Sequence, residues 1–281
     1  MSINEIIVMC PAKINLFLNI VGVKDDKHLL KMINQSVDLY DFLTIKLNET
    51  GEINITSNNK YIPTDYNNTV FKAAYIMKQL YDIHFGFDIN ITKNIPTGAG
   101  LGGESTDAAG AILGIKELLD IYINDSSLIS IGAAVGSDVP FCLVGGTCLV
   151  DGTGEIIRKI VMKQKQFLII KPNFSTNTAE MFEAFDKYCG NYSDFDGYII
   201  GQNDFEIIAP PEIQDIKNYL ASFGAYYTNM TGSGSSVIGT FNNKKYLLSA
   251  YKNLKKYFQN YTAYIVKPCD GVEVLKKTRF N

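Results

Sequence analysis

The chain has 281 residues, 46% of them apolar and 20% charged. That composition predicts a packed protein of one large or two smaller domains and excludes a disordered chain. A formal net charge of −3 argues against a nucleic-acid surface, which needs a strong basic excess, but leaves room for a nucleotide, which needs only local positive charge.

Residues 5–24 are rich in β-branched and aromatic side chains and predict two strands broken at Pro11. "SVDLYDFLTIKLN" and "EINITS" predict further strands. In the second, Ile53 and Ile55 face one way and Asn54 and Thr56 the other. The spacing of Val70, Ala73, Ala74, Met77, Leu80 and Tyr81 predicts a helix capped by Asn68 or Thr69. "FDINITKNI" reads as a strand stopped by Pro96. A glycine-rich stretch follows, then a helix over "TDAAGAILGIKELLDI" with Ala108, Ile112, Ile115 and Leu119 on one side. Residues 126–155 predict helix, turn and strand, and residues 156–172 strand, loop and strand.

"NTAEMFEAFDKY" has the pattern of a helix. Another helix should begin after Pro210 and Pro211 and end at Gly224. "TNMTGSGSSVIGTF" is a second glycine turn running into a strand. "KKYLLSAYKNLKKYF" is an amphipathic helix whose lysines read as a solvated face. There is no internal repeat and no low-complexity linker, so the boundary between the two expected domains, 1–155 and 156–281, is placed near Glu155.

Cys10, Cys142, Cys148, Cys189 and Cys269 are scattered, odd in number and free of CxxC spacing. They suggest free thiols in a reducing compartment rather than disulfides or a zinc site. The apolar N-terminal stretch lacks a basic lead and is interrupted by Lys13. Neither a signal peptide nor a membrane span is expected, and the expected location is the cytoplasm.

The segment "NIPTGAGLGGESTDAAG", residues 94–110, carries the chemistry. Gly98, Gly100, Gly102 and Gly103 let the backbone turn with few side chains in the way, and a helix begins at about Ser105. Free amides at a helix start, with the positive end of its dipole, bind phosphate. No Gly-Lys-Ser/Thr closes the loop, so it is not a Walker A loop. Taken alone, such a turn is as often a plain turn as a phosphate site.

Three more blocks stand with it: "PAKINLFL" near the N-terminus, "GSDVPF" at 136–141 and "MTGSGSSV" at 230–237. The four, in this order and over essentially the whole chain, resemble the GHMP kinase family. The resemblance implies a two-domain α+β fold, with an N-terminal ribosomal-S5-domain-2-like domain, a C-terminal ferredoxin-like domain and a cleft between them. It implies an ATP- and Mg²⁺-dependent kinase for a small alcohol, close to the branch whose acceptor carries a cytidine diphosphate. No nucleic-acid or membrane partner is expected, and the chain should act as a monomer or homodimer.

Carried over by position, Lys13 and Asp138 form the catalytic pair. Asp138 orients the acceptor hydroxyl and takes its proton, and Lys13 pairs with the carboxylate beside the transferred phosphoryl group. A carboxylate suffices because the loose transition state lets the nucleophile keep its proton until late. Pro96, Gly98, Ala99, Gly100, Leu101, Gly102, Gly103, Glu104, Ser105 and Thr106 match the ATP loop, with Lys93 and Asn68 near the adenine. Asn15, Lys27, His28, Phe182, Gly232, Ser233 and Gly234 match the substrate side. Ser105, with Glu104 as a further candidate, would hold Mg²⁺.

Two positions depart from the family pattern. Glu104 stands where relatives have glycine. It could support the helix start, help bind Mg²⁺ or repel ATP. In "KDDKHLLKM" relatives read Asp-Gly-Tyr-His-Glu-Leu, and the tyrosine and histidine hold the cytosine. Here His28 remains but Lys27 replaces the tyrosine, leaving Phe182 as one wall of an aromatic sandwich. A different acceptor, or a silent homologue that only binds a nucleotide, remain open on these residues.

Overall fold

The computed structural model describes residues 3–279 apart from 164, 190, 191, 193, 194 and 196. Its first two strands, β1 (Ile3–Lys24) and β2 (Lys27–Asn48), form one long antiparallel hairpin. Asp25 and Asp26 both have positive φ, 50° and 59°, as a tight two-residue hairpin turn requires, and aspartate tolerates that region better than most residues. The break expected at Pro11 does not occur. Pro11 lies opposite Tyr40 within the ladder, and the register shifts between Pro11 and Ala12. That bulge accommodates a residue with no N–H to donate.

The first sheet has the order β11-β1-β2-β4-β3, with β3 (Ile53–Ser57), β4 (Gly86–Thr92) and β11 (Glu273–Arg279). β5 (Thr147–Gly152) pairs with residues 30–35 of β2, and β6 (Ile156–Lys159) pairs with β5. The boundary expected near residue 155 therefore falls inside this sheet, and β11 returns to it from the far end of the sequence. α1 (Thr69–Leu80) is capped by Asn68, whose side chain accepts from the Val70 amide at 2.8 Å. α2 (Gly103–Leu118) packs its small and apolar residues, among them Ala108, Ala111, Ile112 and Ile115, in the core. α3 (Asp125–Val135) and the short α4 (Val139–Val144) complete this half.

The second sheet has the order β10-β7-β9-β8, all antiparallel. It is built from β7 (Gln166–Lys171), β8 (Tyr227–Met230), β9 (Val237–Phe241) and β10 (Thr262–Val266). α5 (Thr178–Cys189) and α6 (Pro211–Ser222) follow β7, and α7 (Lys244–Tyr257) follows β9. With α6 and α7 as its two helices, this is the β-α-β-β-α-β arrangement of a ferredoxin-like domain. A buried cluster that includes Ala12, Ile14, Ala99, Leu101, Phe167, Ile169 and Ile238 joins β1, the glycine loop and the second sheet. The loop is thus anchored to both halves; burying Leu101 alone is worth about 2 kcal/mol. No helix of the described residues is long and apolar enough to cross a membrane. The five cysteines are free, and Cys10, Cys142 and Cys148 are buried.

Candidate active site

A cleft of about 800 Å³ opens over the 96–105 loop, the end of α3 and the tip of the β1–β2 hairpin. The loop is held from both sides. The Lys13 amide donates to the Leu101 carbonyl at 2.9 Å, and Thr231 Oγ1 donates to the Gly100 carbonyl at 3.2 Å. Gly100 has φ +71°, and a Cβ there would lie 2.0 Å from the Thr231 carbonyl oxygen. Gly102 has φ +66°, and its Cβ would fall 2.6 Å from Lys13 Cγ. Both positions need glycine for conformation and for space. The result is a backbone surface laid against the Lys13 stem, leading into the N-terminus of a 16-residue helix, where amide groups and the dipole favour an anion.

Lys13 is almost fully buried, and its Nζ lies 3.1 Å from Asp138 Oδ2. The same ammonium donates to Asn15 Oδ1 at 2.8 Å. Asn15 in turn donates to Asn34 Oδ1 at 2.7 Å, and its amide donates to Thr231 Oγ1 at 2.9 Å. A buried charge needs such partners to offset its desolvation. Asp138 immediately precedes α4, half-buried, with its carboxylate on the cleft. The pair named from sequence therefore meets at one wall of the crevice, beside the glycine loop.

Lys93 lies deeper. Its ammonium bonds to Asp41 and, at 2.7 Å, to Asp107 Oδ2, and all three side chains are buried. Asp41 Oδ1 also accepts the Asn94 and Ile95 amides, the second at 2.8 Å. The triad clamps the start of the loop to the base of α2. Burial pushes the Asp107 carboxyl up to about 7, Lys93 pulling it down and Asp41 pushing it further up. Lys93 also lines the cleft, with its ammonium already paired to these two acids. Neither Asp41 nor Asp107 stands out in the sequence, because their role exists only once β2, β4 and α2 meet.

Of the other residues singled out from sequence, Lys27, His28, Phe182, Gly232, Ser233, Pro96 and 98–105 line the same cleft. Asn15, Asn68, Thr106 and Gly234 do not. Asn68 serves as the α1 cap and donates to the Pro63 carbonyl at 2.6 Å. Thr106 is buried under the helix start, with its hydroxyl beside Cys142. Glu104 is exposed in the first turn of α2 and makes no ion pair among the described residues. Its carbonyl accepts from Thr69 Oγ1 at 2.8 Å, tying α1 to the loop.

Sequence reading missed Lys72, which lines the cleft and donates to the Val135 carbonyl at 3.1 Å. The available signal was its place four residues after the α1 cap, on the same helix face.

At the other end of the cleft the His28 ring lies flat on Phe182, with centroids 4.1 Å apart and planes 19° apart. Asp186 fixes it through Nε2 at 2.9 Å, and Tyr192 donates to the same carboxylate at 2.9 Å. The two rings are in contact, so His28 occupies the layer next to Phe182. Lys27, Thr153 and Glu155 line the cleft nearby.

Among the described residues no group of three or more His, Cys, Asp and Glu side chains is placed to hold a metal ion. Of the oxygen-bearing side chains on the cleft, which also include Asp26, Ser137 and Glu155, Glu104 and Ser105 belong to the glycine loop and Asp138 to the Lys13 pair. That set suits Mg²⁺, which is held by one or two carboxylates together with a nucleotide's phosphates rather than by an all-protein cage.

This fold and loop define a phosphotransferase of one structural class, and the comparisons agree. The GHMP kinases N terminal domain matches residues 68–146, and the GHMP kinases C terminal domain matches 181–260. The chain belongs to the GHMP kinase family. Among its relatives, the 4-diphosphocytidyl-2-C-methyl-D-erythritol kinase of Clostridium beijerinckii is 37% identical over 268 residues, covering 89% of this chain and 95% of that one. A crystal structure of 4-(cytidine 5'-diphospho)-2C-methyl-D-erythritol kinase superposes with a TM-score of 0.73 at 22% identity, over 92% of this chain and 97% of that one. The homoserine kinase of Cytophaga hutchinsonii superposes equally well, with a TM-score of 0.74 at 19% identity, over 97% of this chain and 98% of that one. At such identities the superpositions speak to fold alone.

Proposed function

We propose that this kinase transfers the γ-phosphoryl group of ATP to the 2-hydroxyl of 4-diphosphocytidyl-2-C-methyl-D-erythritol, a step of the non-mevalonate route to isoprenoids, in the cytoplasm. The observation that carries the reading is the Lys13–Asp138 pair, 3.1 Å apart, against the Gly102 face of the glycine loop. The relatives' shared name supports the acceptor.

In this reading the backbone of 98–105 receives the triphosphate at the α2 N-terminus. Ser105 and Glu104 would hold Mg²⁺, which supplies charge neutralisation on the phosphates. Asp138 accepts a hydrogen bond from the acceptor hydroxyl, sets it in line and takes its proton as the bond to phosphorus forms. Lys13, rigidly held by Asn15, places positive charge beside the phosphoryl oxygens. Phosphoryl transfer of this kind depends mainly on positioning and electrostatics, which preorganised groups supply without reorganising. The cytosine extends the His28–Phe182 stack by one layer, so His28 takes over the role of the absent tyrosine. Stacking of a base on an aromatic ring contributes about 1–3 kcal/mol.

The test is a panel of acceptor alcohols with ATP and Mg²⁺, followed by ADP release. Turnover confined to the cytidyl diphosphate acceptor is expected. Turnover with homoserine or mevalonate instead would reassign the acceptor. ATP binding with no turnover on any alcohol would sink the catalytic reading.

A further inference from the structure

A second cavity, of about 280 Å³, shares no lining residue with the cleft. It lies where the β5–β6 hairpin and residues 160–163 and 165 meet the second sheet. Its inner wall is apolar: Leu16 and Phe167 are buried, and Ile160, Met162 and Ile200 are half-buried. Two of its polar side chains, Gln35 and Thr147, are already satisfied internally. Thr147 Oγ1 donates to Gln35 Oε1, and Gln35 Nε2 donates to the Ser36 carbonyl at 2.8 Å and the Gly146 carbonyl at 3.3 Å.

The rim differs from the wall. Lys159, Lys163 and Lys165 stand on it against one carboxylate, Asp270. Lys165 donates to Asn242 Oδ1 at 2.5 Å. Lys159 and Lys163 are exposed and make no ion pair among the described residues. Val161, between them in sequence, is fully exposed. An apolar chamber under a net positive rim, in a chain whose overall charge is −3, is complementary to one kind of molecule.

We infer that this cavity binds an amphiphilic anion: a short alkyl or prenyl chain inside, and a phosphate or diphosphate head among Lys159, Lys163 and Lys165. The volume admits on the order of nine water-sized groups at about 30 Å³ each, which sets the chain at about ten carbons or fewer. A long acyl lipid would leave much of its chain in water. Binding here is independent of which alcohol the kinase phosphorylates.

The experiment is thermal unfolding of the intact protein with geranyl diphosphate or decyl phosphate, each below its micelle concentration. Geraniol and inorganic diphosphate serve as the two half-molecules. Stabilisation by about 3 °C or more at ligand well above Kd is expected from the whole amphiphile. Geranyl diphosphate acting alone would assign a diphosphate head, and an equal effect of decyl phosphate would assign a single phosphate as sufficient. The double variant Lys159→Glu/Lys163→Glu, and the milder Lys159→Gln/Lys163→Gln, should keep the ligand-free Tm and the kinase rate but lose the shift. No shift with either amphiphile, an equal shift with geraniol or inorganic diphosphate, or a shift that survives in both double variants would overturn the inference.

Discussion

The backbone amide of Asn15 donates to Thr231 Oγ1 at 2.9 Å, joining two residues 216 positions apart in the chain. The same hydroxyl reaches the Gly100 carbonyl, and the Asn15 side chain holds Lys13. One threonine therefore links the second glycine turn, the glycine loop and the lysine strand. Replacing it by valine keeps the shape and deletes the hydroxyl, leaving a buried N–H unpaired. Thr231→Val should cost about 1–3 kcal/mol of stability in a urea titration. It should also lower kcat more than it raises KM for ATP, because Lys13 loses its fixed neighbour.

Asp138→Asn should leave ATP binding within about twofold by calorimetry while lowering kcat by roughly 10²–10⁴, the span a positioned proton acceptor contributes. Asparagine keeps the shape of the side chain but cannot take the acceptor's proton. Unchanged turnover would remove Asp138 from the chemistry.

The buried triad under the loop sets a pH dependence. Burial raises Asp107 to about 7 in the folded protein, against the ordinary carboxylate range when unfolded. Between those two values the folded chain holds a proton that the unfolded chain has released. This group's contribution is complete below the unfolded value and is lost as pH rises through about 7. Asp107→Asn should therefore flatten Tm against pH between 4 and 8. The gap between variant and wild type should move in the variant's favour as pH rises. A gap constant across that range would show that Asp107 does not titrate there.

Glu104 sits in the first turn of α2, exposed and lining the cleft. Its effect on ATP is expected to depend on the metal. Without Mg²⁺ its charge is expected to repel the triphosphate, and with Mg²⁺ limiting it is expected to help hold the ion. Glu104→Gly should tighten metal-free ATP binding and weaken it at limiting Mg²⁺. Each change should be about threefold to tenfold, the order of 1 kcal/mol for a solvent-exposed charge within a few ångström. Calorimetry at two Mg²⁺ levels separates the two directions.

Much of this was legible in the sequence where a local rule suffices. The glycine loop, the Asn68 cap and the helix of α7 follow from residue type and spacing. So did the second glycine turn, since φ values of +56° at Gly232 and +92° at Gly234 are what glycine is for. Pro11 misled because a bulge, which depends on the partner strand, let the ladder continue. β10 and β11 escaped notice because each is recognised only by its neighbour: β10 by β7 and β11 by β1. Lys93 lines the cleft, but the pairing of its ammonium with two acids from separate elements left no mark in the sequence. The stack of His28 on Phe182 joins a hairpin tip to a helix more than 150 residues later. No pattern along the chain announces such a meeting.

The pairing of β11 with β1 has a further consequence for how the molecule is made. A ribosome exposes the strand bearing Lys13 near the start of synthesis, yet one flank of that strand stays bare until residues 273–279 emerge. Up to then the nascent protein carries an open template for adventitious strand addition. Shortened versions ending before residue 273 should clump on expression even though every catalytic group is present in them.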